Sequence, residues 1–483
     1  MSHASFSRRD TLLAGIGMAA AITAPPVASA QAPTAASNPP LSTGDIGILL
    51  GTIGRRAVDA ALWGMPAASM AAFRRSLAGV GAGYNDVLYF SEPLEARHEF
   101  LTANNNTPYV ATALDLHHGP MVIEVPTASA KVALFGSAID SFQVPLVDVG
   151  PSGDDAGKGG KYLFLPPAYK DAPPGGYLVI PSTTNFLHVA FRPIIGKGAT
   201  IEDGVAYAKT LKVYPLSAAG NPPPTKFVDA YPQAWHTLPV YDLAFFKDIA
   251  AVVNDEPAQE KDAAMLGLLA SIGIEKGKPF NPTGETAKIF EQAVNQAYDI
   301  MQAYLVGPFT RHIWPDRQWA DIPLTPTKNM DFVMDGKLLV DERATIYFFG
   351  TWVPKKLAAS AYPMVFRDSS SALLMGDKTY RLRVPADTPA RDFWSAIVYS
   401  MKTKSMIPSP ANKVGLSSYD KSKMQINGDG SVDLYFAPKT PAGQEANWIP
   451  TGEDFFIIFR LYGPEKAYFD RTWKLPDIEN IAS

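Results

Sequence analysis

The side chains best suited to chemistry gather in three stretches. In "NNNTPYVATALDLHHGPMVIEVP", residues 104–126, Asn104 and Asn106 offer amide donors and acceptors at the entry to a strand, and Tyr109 adds a phenol. In "DFWSAIVYS", Trp394 and Tyr399 fall on opposite faces of a strand. In "EANWIPTGEDFFIIFRLYGP", Asn447 and Trp448 lead through a turn into a strand apolar on both faces that ends with Arg460 and Tyr462. Aromatic surfaces hold a ligand, amides orient it, and a fixed cation stabilises developing negative charge. On this reading Tyr109 or Tyr399 moves a proton, Arg460 stabilises the anion, and Asn104, Asn106, Trp394, Asn447 and Trp448 bind substrate. The chemistry expected is metal-independent hydrolysis or elimination on a small organic or saccharide-like molecule, with no cofactor. It requires strand ends from the two halves of the chain to meet.

Other constellations are weaker. His117 and His118 sit beside Gly119 and Pro120, where a hairpin connection between two strands is expected, and neighbouring side chains in extended backbone point apart. A metal enzyme using His98, His117 or His118 is therefore a minor option. Ser137 and Asp140 could join a histidine in a hydrolytic triad, but no G-x-S-x-G elbow, H-E-x-x-H helix or phosphate loop accompanies them. Asp154 and Asp155 lie in a glycine-rich loop and read as solvated. Asn427-Gly428-Asp429-Gly430 reads as a hairpin turn, since the terminal glutamate of a calcium loop is missing. The rival to an enzyme is a non-catalytic ligand-binding or envelope-interaction module. In it Trp394 and Trp448 anchor the core and Arg460 is paired internally.

These residues must be positioned by strands. The chain has 483 residues, 47% hydrophobic and 19% charged, with 42 prolines and 37 glycines spread along it. That pattern favours many short strands joined by turns and predicts a mainly β fold with helical segments, α+β in class. A helical region is expected over 45–83, broken at Gly64 and Pro66. A β-sandwich follows over 84–245. A helical segment covers 246–330, with Phe290, Ala293, Ala297, Ile300, Met301 and Tyr304 on one face, and a second sandwich covers 331–483. Val110, Thr112, Leu114 and Leu116 share a face of what reads as a half-buried strand.

A net charge of −4 with no basic stripe argues against a nucleic-acid partner. The partner expected is a small-molecule or saccharide-like ligand, with oligomeric state left open. The absence of cysteine excludes disulfides, thiolate metal sites and cysteine nucleophiles. Arg8 and Arg9, an apolar stretch from Leu12 to Ala24 and the small-residue exit Ala28-Ser29-Ala30 read as a twin-arginine signal peptide over 1–30, followed by a linker over 31–44. The mature protein is then expected in the periplasm or outside the cell, with no membrane span.

Longer stretches resemble known families. "NNNTPYVATALDLHHGPMVIEVP", "GGKYLFLPPAY" and "LGLLASIGIEKGKPFNP" resemble the bacterial family of domain of unknown function 1254. "DFWSAIVYS", "NGDGSVDLYF" and "NWIPTGEDFFIIFRLYGPEKAYFDRTWKLPDIE" resemble domain of unknown function 1214, its usual C-terminal companion. The resemblance implies an immunoglobulin-like sandwich, a helical segment and a jelly-roll-like sandwich, and it implies no activity. The family often carries an aspartate where this chain has Asn106, and a leucine at Pro108.

Overall fold

A computed structural model describes residues 42–307, 311–321, 330–356, 360–410 and 412–481; the expected signal peptide and nearly all of the linker lie outside them. The first helix, Thr43–Ser76, starts at a capping box in which Ser42 and Asp45 satisfy each other's backbone N–H groups. It runs unbroken through Gly64 and Pro66, where a break was expected. Proline in a helix interior costs about 3 kcal/mol, but this helix is buried on every side between Ala60 and Phe73, and that packing offsets the cost. Gly64 is needed for the packing itself: a Cβ there would stand 2.3 Å from Ile249 Cδ1. Gly64→Ala is expected to destabilise the protein by about 1–3 kcal/mol through overpacking, read as a lower urea midpoint; an unchanged midpoint would mean that the helices slide apart freely.

Helices Leu243–Asp255, Gly284–Val306 and Val340–Phe349 pack around the first helix. Phe290, Ala293, Ala297 and Met301 are buried at the predicted helical spacing.

The N-terminal sandwich has a six-stranded sheet in the order Phe227–Asp229, Val87–Tyr89, Val110–Asp115, Phe186–Ile195, Val132–Asp140, Pro145–Val149. A four-stranded sheet of Lys212–Pro215, Met121–Val125, Gly160–Leu165 and Leu178–Pro181 faces it. Leu114, Leu187, Val189 and Phe191 fill the space between the sheets together with Met121 and Ile123. The strand Val110–Asp115 pairs with Val87–Tyr89 and Phe186–Ile195, whereas Met121–Val125 pairs with strands of the other sheet. His117 and His118 therefore sit on a crossover between sheets and not in a hairpin. Nor is the strand half-buried: Ala111 and Ala113, on its second face, pack into the helical core.

In the C-terminal sandwich the long strands Ala390–Ser400 and Phe455–Pro464 pair antiparallel at the centre of a seven-stranded sheet. That sheet also takes Arg311–His312 and Ala320–Asp321 from the stretch expected to be helical. A four-stranded sheet of Trp448–Pro450, Val432–Ala437, Tyr380–Val384 and Glu479–Asn480 completes the sandwich. Asn427–Gly430 turns into Val432–Ala437 with no strand before it, so the expected hairpin is only a turn. Strand alternation sends Trp394, Phe455, Ile457, Phe459 and Leu461 into the sandwich core, and Tyr399, Phe456 and Ile458 toward the helices and the N-terminal half. The two halves meet across outward faces of their larger sheets.

Candidate functional site

A cavity of about 180 Å³ lies between those two faces. Ala111, Phe135 and Ser137, and Ala190 and Arg192 reach it from three neighbouring strands of the N-terminal sheet, and Tyr109 from the position just before the first of them. Ile458, Arg460 and Tyr362 reach it from the C-terminal sheet and the residue following Ser360–Ala361. The end of helix Val340–Phe349 and the segment Gly350–Pro354 close one wall, and Phe100–Asn104 another. Apart from the two arginines and a few hydroxyl and amide groups the lining is apolar.

Among the described residues the two cations lack counter-charges. Arg460 is 3% exposed and donates a hydrogen bond, 2.7 Å, to the carbonyl of Thr102, while among the described residues Nη1 has no partner. Its guanidinium lies 5.5 Å from the Tyr362 ring and 5.4 Å from that of Tyr399. Arg192 lies 5.7 Å from the Tyr109 ring and 5.4 Å from Phe135. Among the described residues neither arginine has a carboxylate partner, and none of the lining residues is acidic. Cation–π contacts contribute about 0.5–2 kcal/mol each, less than the cost of drying a guanidinium. An anion held by both would supply charge-assisted hydrogen bonds of about 1.5–3 kcal/mol each.

The arginines act on the phenols. Burial pushes the Tyr362 hydroxyl up, but Arg192 and then Arg460 outweigh it and hold its pKa below the ordinary tyrosine range, aided by Ser360. Its neighbour Tyr462 goes up instead, chiefly through burial. Tyr109 Oη accepts the Asn104 N–H at 3.0 Å, which leaves its own hydrogen free to donate.

Local backbone is strained where it meets the cavity. Thr102 and Trp352 hold φ of +43° and +50°, in the left-handed region that bulky residues avoid at a cost of about 1–3 kcal/mol each. Thr102 thereby turns its carbonyl to Arg460 while its N–H bonds the Lys404 carbonyl. Trp352 donates to the His188 carbonyl at 3.3 Å, and Thr351 to Gln143 Oε1 at 2.8 Å. Asp148 ties the wall down by accepting the N–H groups of Lys355 and Lys356 and the Ser137 hydroxyl.

Of the residues expected to carry chemistry, Asn104, Tyr109 and Arg460 line this cavity. Tyr399 sits against Arg460, but its hydroxyl donates to the Ala103 carbonyl and burial raises its pKa, so it is a strut and not a proton carrier. Asn106 lies outside the lining: the Asn104 side chain caps the turn by accepting the Asn106 N–H, and among the described residues Asn106 Oδ1 is buried without a partner. Trp394 stacks on Phe459 inside the C-terminal core, on the far face from Arg460. Asn447 bridges Gln425 and the Asp433 carbonyl, and Trp448 donates to the Ala437 carbonyl, so both are committed to the smaller sheet. Arg192, Tyr362 and Trp352 were missed.

The triad is not assembled. Ser137 donates to Asp148, Asp140 accepts the Phe142 and Val144 N–H groups, and His117 pairs with Asp115 at the surface. His98 accepts from the Glu95 N–H and bonds the Tyr231 carbonyl, using both ring nitrogens. Among the described residues no three metal-ligating side chains come together.

Residues 84–215 match the family described as protein of unknown function DUF1254, and residues 359–466 match that described as DUF1214. The chain is a DUF1254–DUF1214 tandem. The tandem is similar in fold to the crystal structure of the VPA0106 protein from Vibrio parahaemolyticus, with 18% identity, a TM-score of 0.54, and coverage of 89% of this chain and 100% of that one. An uncharacterised protein from Burkholderia cenocepacia is 12% identical, with a TM-score of 0.41 over 91% of this chain and 97% of that one. No curated protein matches. In these terms the cavity lies between the DUF1254 and DUF1214 parts, with Arg192 from the first and Arg460 from the second.

Beside it, Lys404 is buried over the rings of Phe348 and Tyr298 and donates to Gln302 Oε1 at 2.6 Å. Burial brings its pKa down to about 7. The unfolded chain, with lysine near about 10.4, therefore binds the extra proton between those values, and this contribution to stability grows as pH rises through that window. The stability difference between native protein and Lys404→Met is expected to move in the native protein's favour from about pH 7 to pH 10 in paired thermal melts; a flat difference would remove the perturbed titration.

Proposed function

We propose that the tandem is a metal-independent acid–base enzyme of the lyase type, acting on a small organic anion. The observation that carries this reading is Tyr362 beside two guanidiniums that have no carboxylate partner. A substrate carboxylate supplies the missing partner. Ionised Tyr362 removes a proton from the carbon next to it, and the electron pair spreads into the carboxylate group, where Arg192 and Arg460 hold the added charge. The pair then forms a carbon–carbon double bond as the bond from the next carbon to its leaving group breaks, and Tyr109 gives the departing group a proton. Each positioned acid or base contributes about 10²–10⁴-fold.

Hydrolysis is less well supported, because the Ser137 hydroxyl is committed to Asp148. An apolar wall leaves sugar hydroxyls unpaired, which favours an organic acid over a saccharide-like body. Paired sheets around one core in each half support the immunoglobulin-like and jelly-roll-like readings of the two parts. Arg8, Arg9 and the apolar stretch after them support export; among the described residues no helix is long and apolar enough to cross a membrane.

The test is depletion of a mixed pool of small organic acids, followed by mass spectrometry with and without a chelator. The native protein is expected to consume an acid regardless of chelator, and Arg192→Met of unchanged melting temperature to do so at least about 10²-fold more slowly. Binding without consumption of any acid would replace this reading with that of a non-catalytic module.

A further inference from the structure

Size, lining and charge together restrict what the cavity can hold. An apolar cavity of roughly 150 Å³ takes one benzene ring, so about 180 Å³ admits a molecule little larger than that. Phe100, Phe135, Phe349, Trp352 and Ile458 surround the body of such a ligand. The charge count restricts its head. Two guanidiniums bring two positive charges and the lining brings no carboxylate. One ligand carboxylate and one ionised phenol neutralise them together. A dianion would neutralise them alone, remove the field that favours ionised Tyr362, and bring a larger hydration shell to be stripped against apolar walls.

We infer that the ligand is a monocarboxylate with an apolar body about the size of one ring, its carboxylate bridging Arg192 of the DUF1254 part and Arg460 of the DUF1214 part. This rests on the site described above and narrows its substrate class. A planar carboxylate suits two guanidinium forks, and neither domain alone holds both.

Calorimetric titration at neutral pH with four probes tests it: benzoate, benzyl alcohol, acetate and inorganic phosphate. Benzoate is expected to bind at least about ten-fold tighter than each of the others, a difference of about 1.4 kcal/mol. Arg192→Met is expected to weaken benzoate by about ten-fold or more and to leave benzyl alcohol unchanged. Equal affinity for benzoate and benzyl alcohol, tighter binding of phosphate, or benzoate binding insensitive to Arg192→Met would each overturn the inference. Benzoate binding with no acid consumed upholds it while removing the enzymatic reading. Consumption of a dicarboxylate with no benzoate binding does the reverse.

Discussion

Arg460→Met is expected to abolish turnover and carboxylate binding while leaving stability within about 2 kcal/mol of the native protein. Two opposing terms set that balance. Losing the guanidinium orphans the Thr102 carbonyl, which costs about 1–3 kcal/mol. Replacing a buried cation that has no counter-charge by an apolar side chain of similar length returns about 1–4 kcal/mol. A group whose removal the fold hardly notices, yet which is held dry at the centre of a two-domain interface, is kept for what it binds. Urea unfolding beside a turnover assay checks both halves. A loss of several kcal/mol would make Arg460 a structural tie between the domains, and the cavity incidental to it.

Tyr362→Phe should lower turnover by about 10²–10⁴-fold with little change in ligand affinity, because it deletes one oxygen and keeps the ring beside Arg460. The sign of the pH dependence follows from the base being the ionised phenol. Arg192 and Arg460 hold its pKa below the usual tyrosine range, so native activity rises with pH until that group has lost its proton and then levels. The residual activity of Tyr362→Phe lacks that rise. Arg192→Met removes one of the two cations, so in whatever activity it retains the rise moves to higher pH. A pH profile shared by native protein and Tyr362→Phe would take the base role away from this residue.

Half of this site was legible in the chain before folding. Arg460 stands out because a cation in the strand "FFIIFRLYGP" demands a partner, and Tyr109 and Asn104 because they gather at a strand entry. Alternation told that Trp394 and Tyr399 point to opposite faces; only packing tells that the Trp394 face is the sandwich core. Arg192 escaped for a related reason. In "FLHVAFRPII" it shares a face with His188 and Ala190, which reads as the solvent side of a half-buried strand. That face is covered by the other half of the chain, a long-range contact that no local periodicity encodes. Tyr362 lies in "SAYPMVF", just past a two-residue strand, where no pattern marks it. The unbroken first helix was misjudged because intrinsic propensity at Gly64 and Pro66 was overridden by burial around them.

Proton abstraction from the carbon beside a carboxylate can be watched without knowing the leaving group. The protein would be incubated in heavy water with a pool of small apolar monocarboxylates. Deuterium uptake at that carbon, and loss of parent acid, would be followed by mass spectrometry for native protein and Tyr362→Phe. Uptake or loss is expected with the native protein and neither with the variant. No uptake and no loss with native protein at any pH up to that of an ordinary tyrosine, about 10, would contradict it.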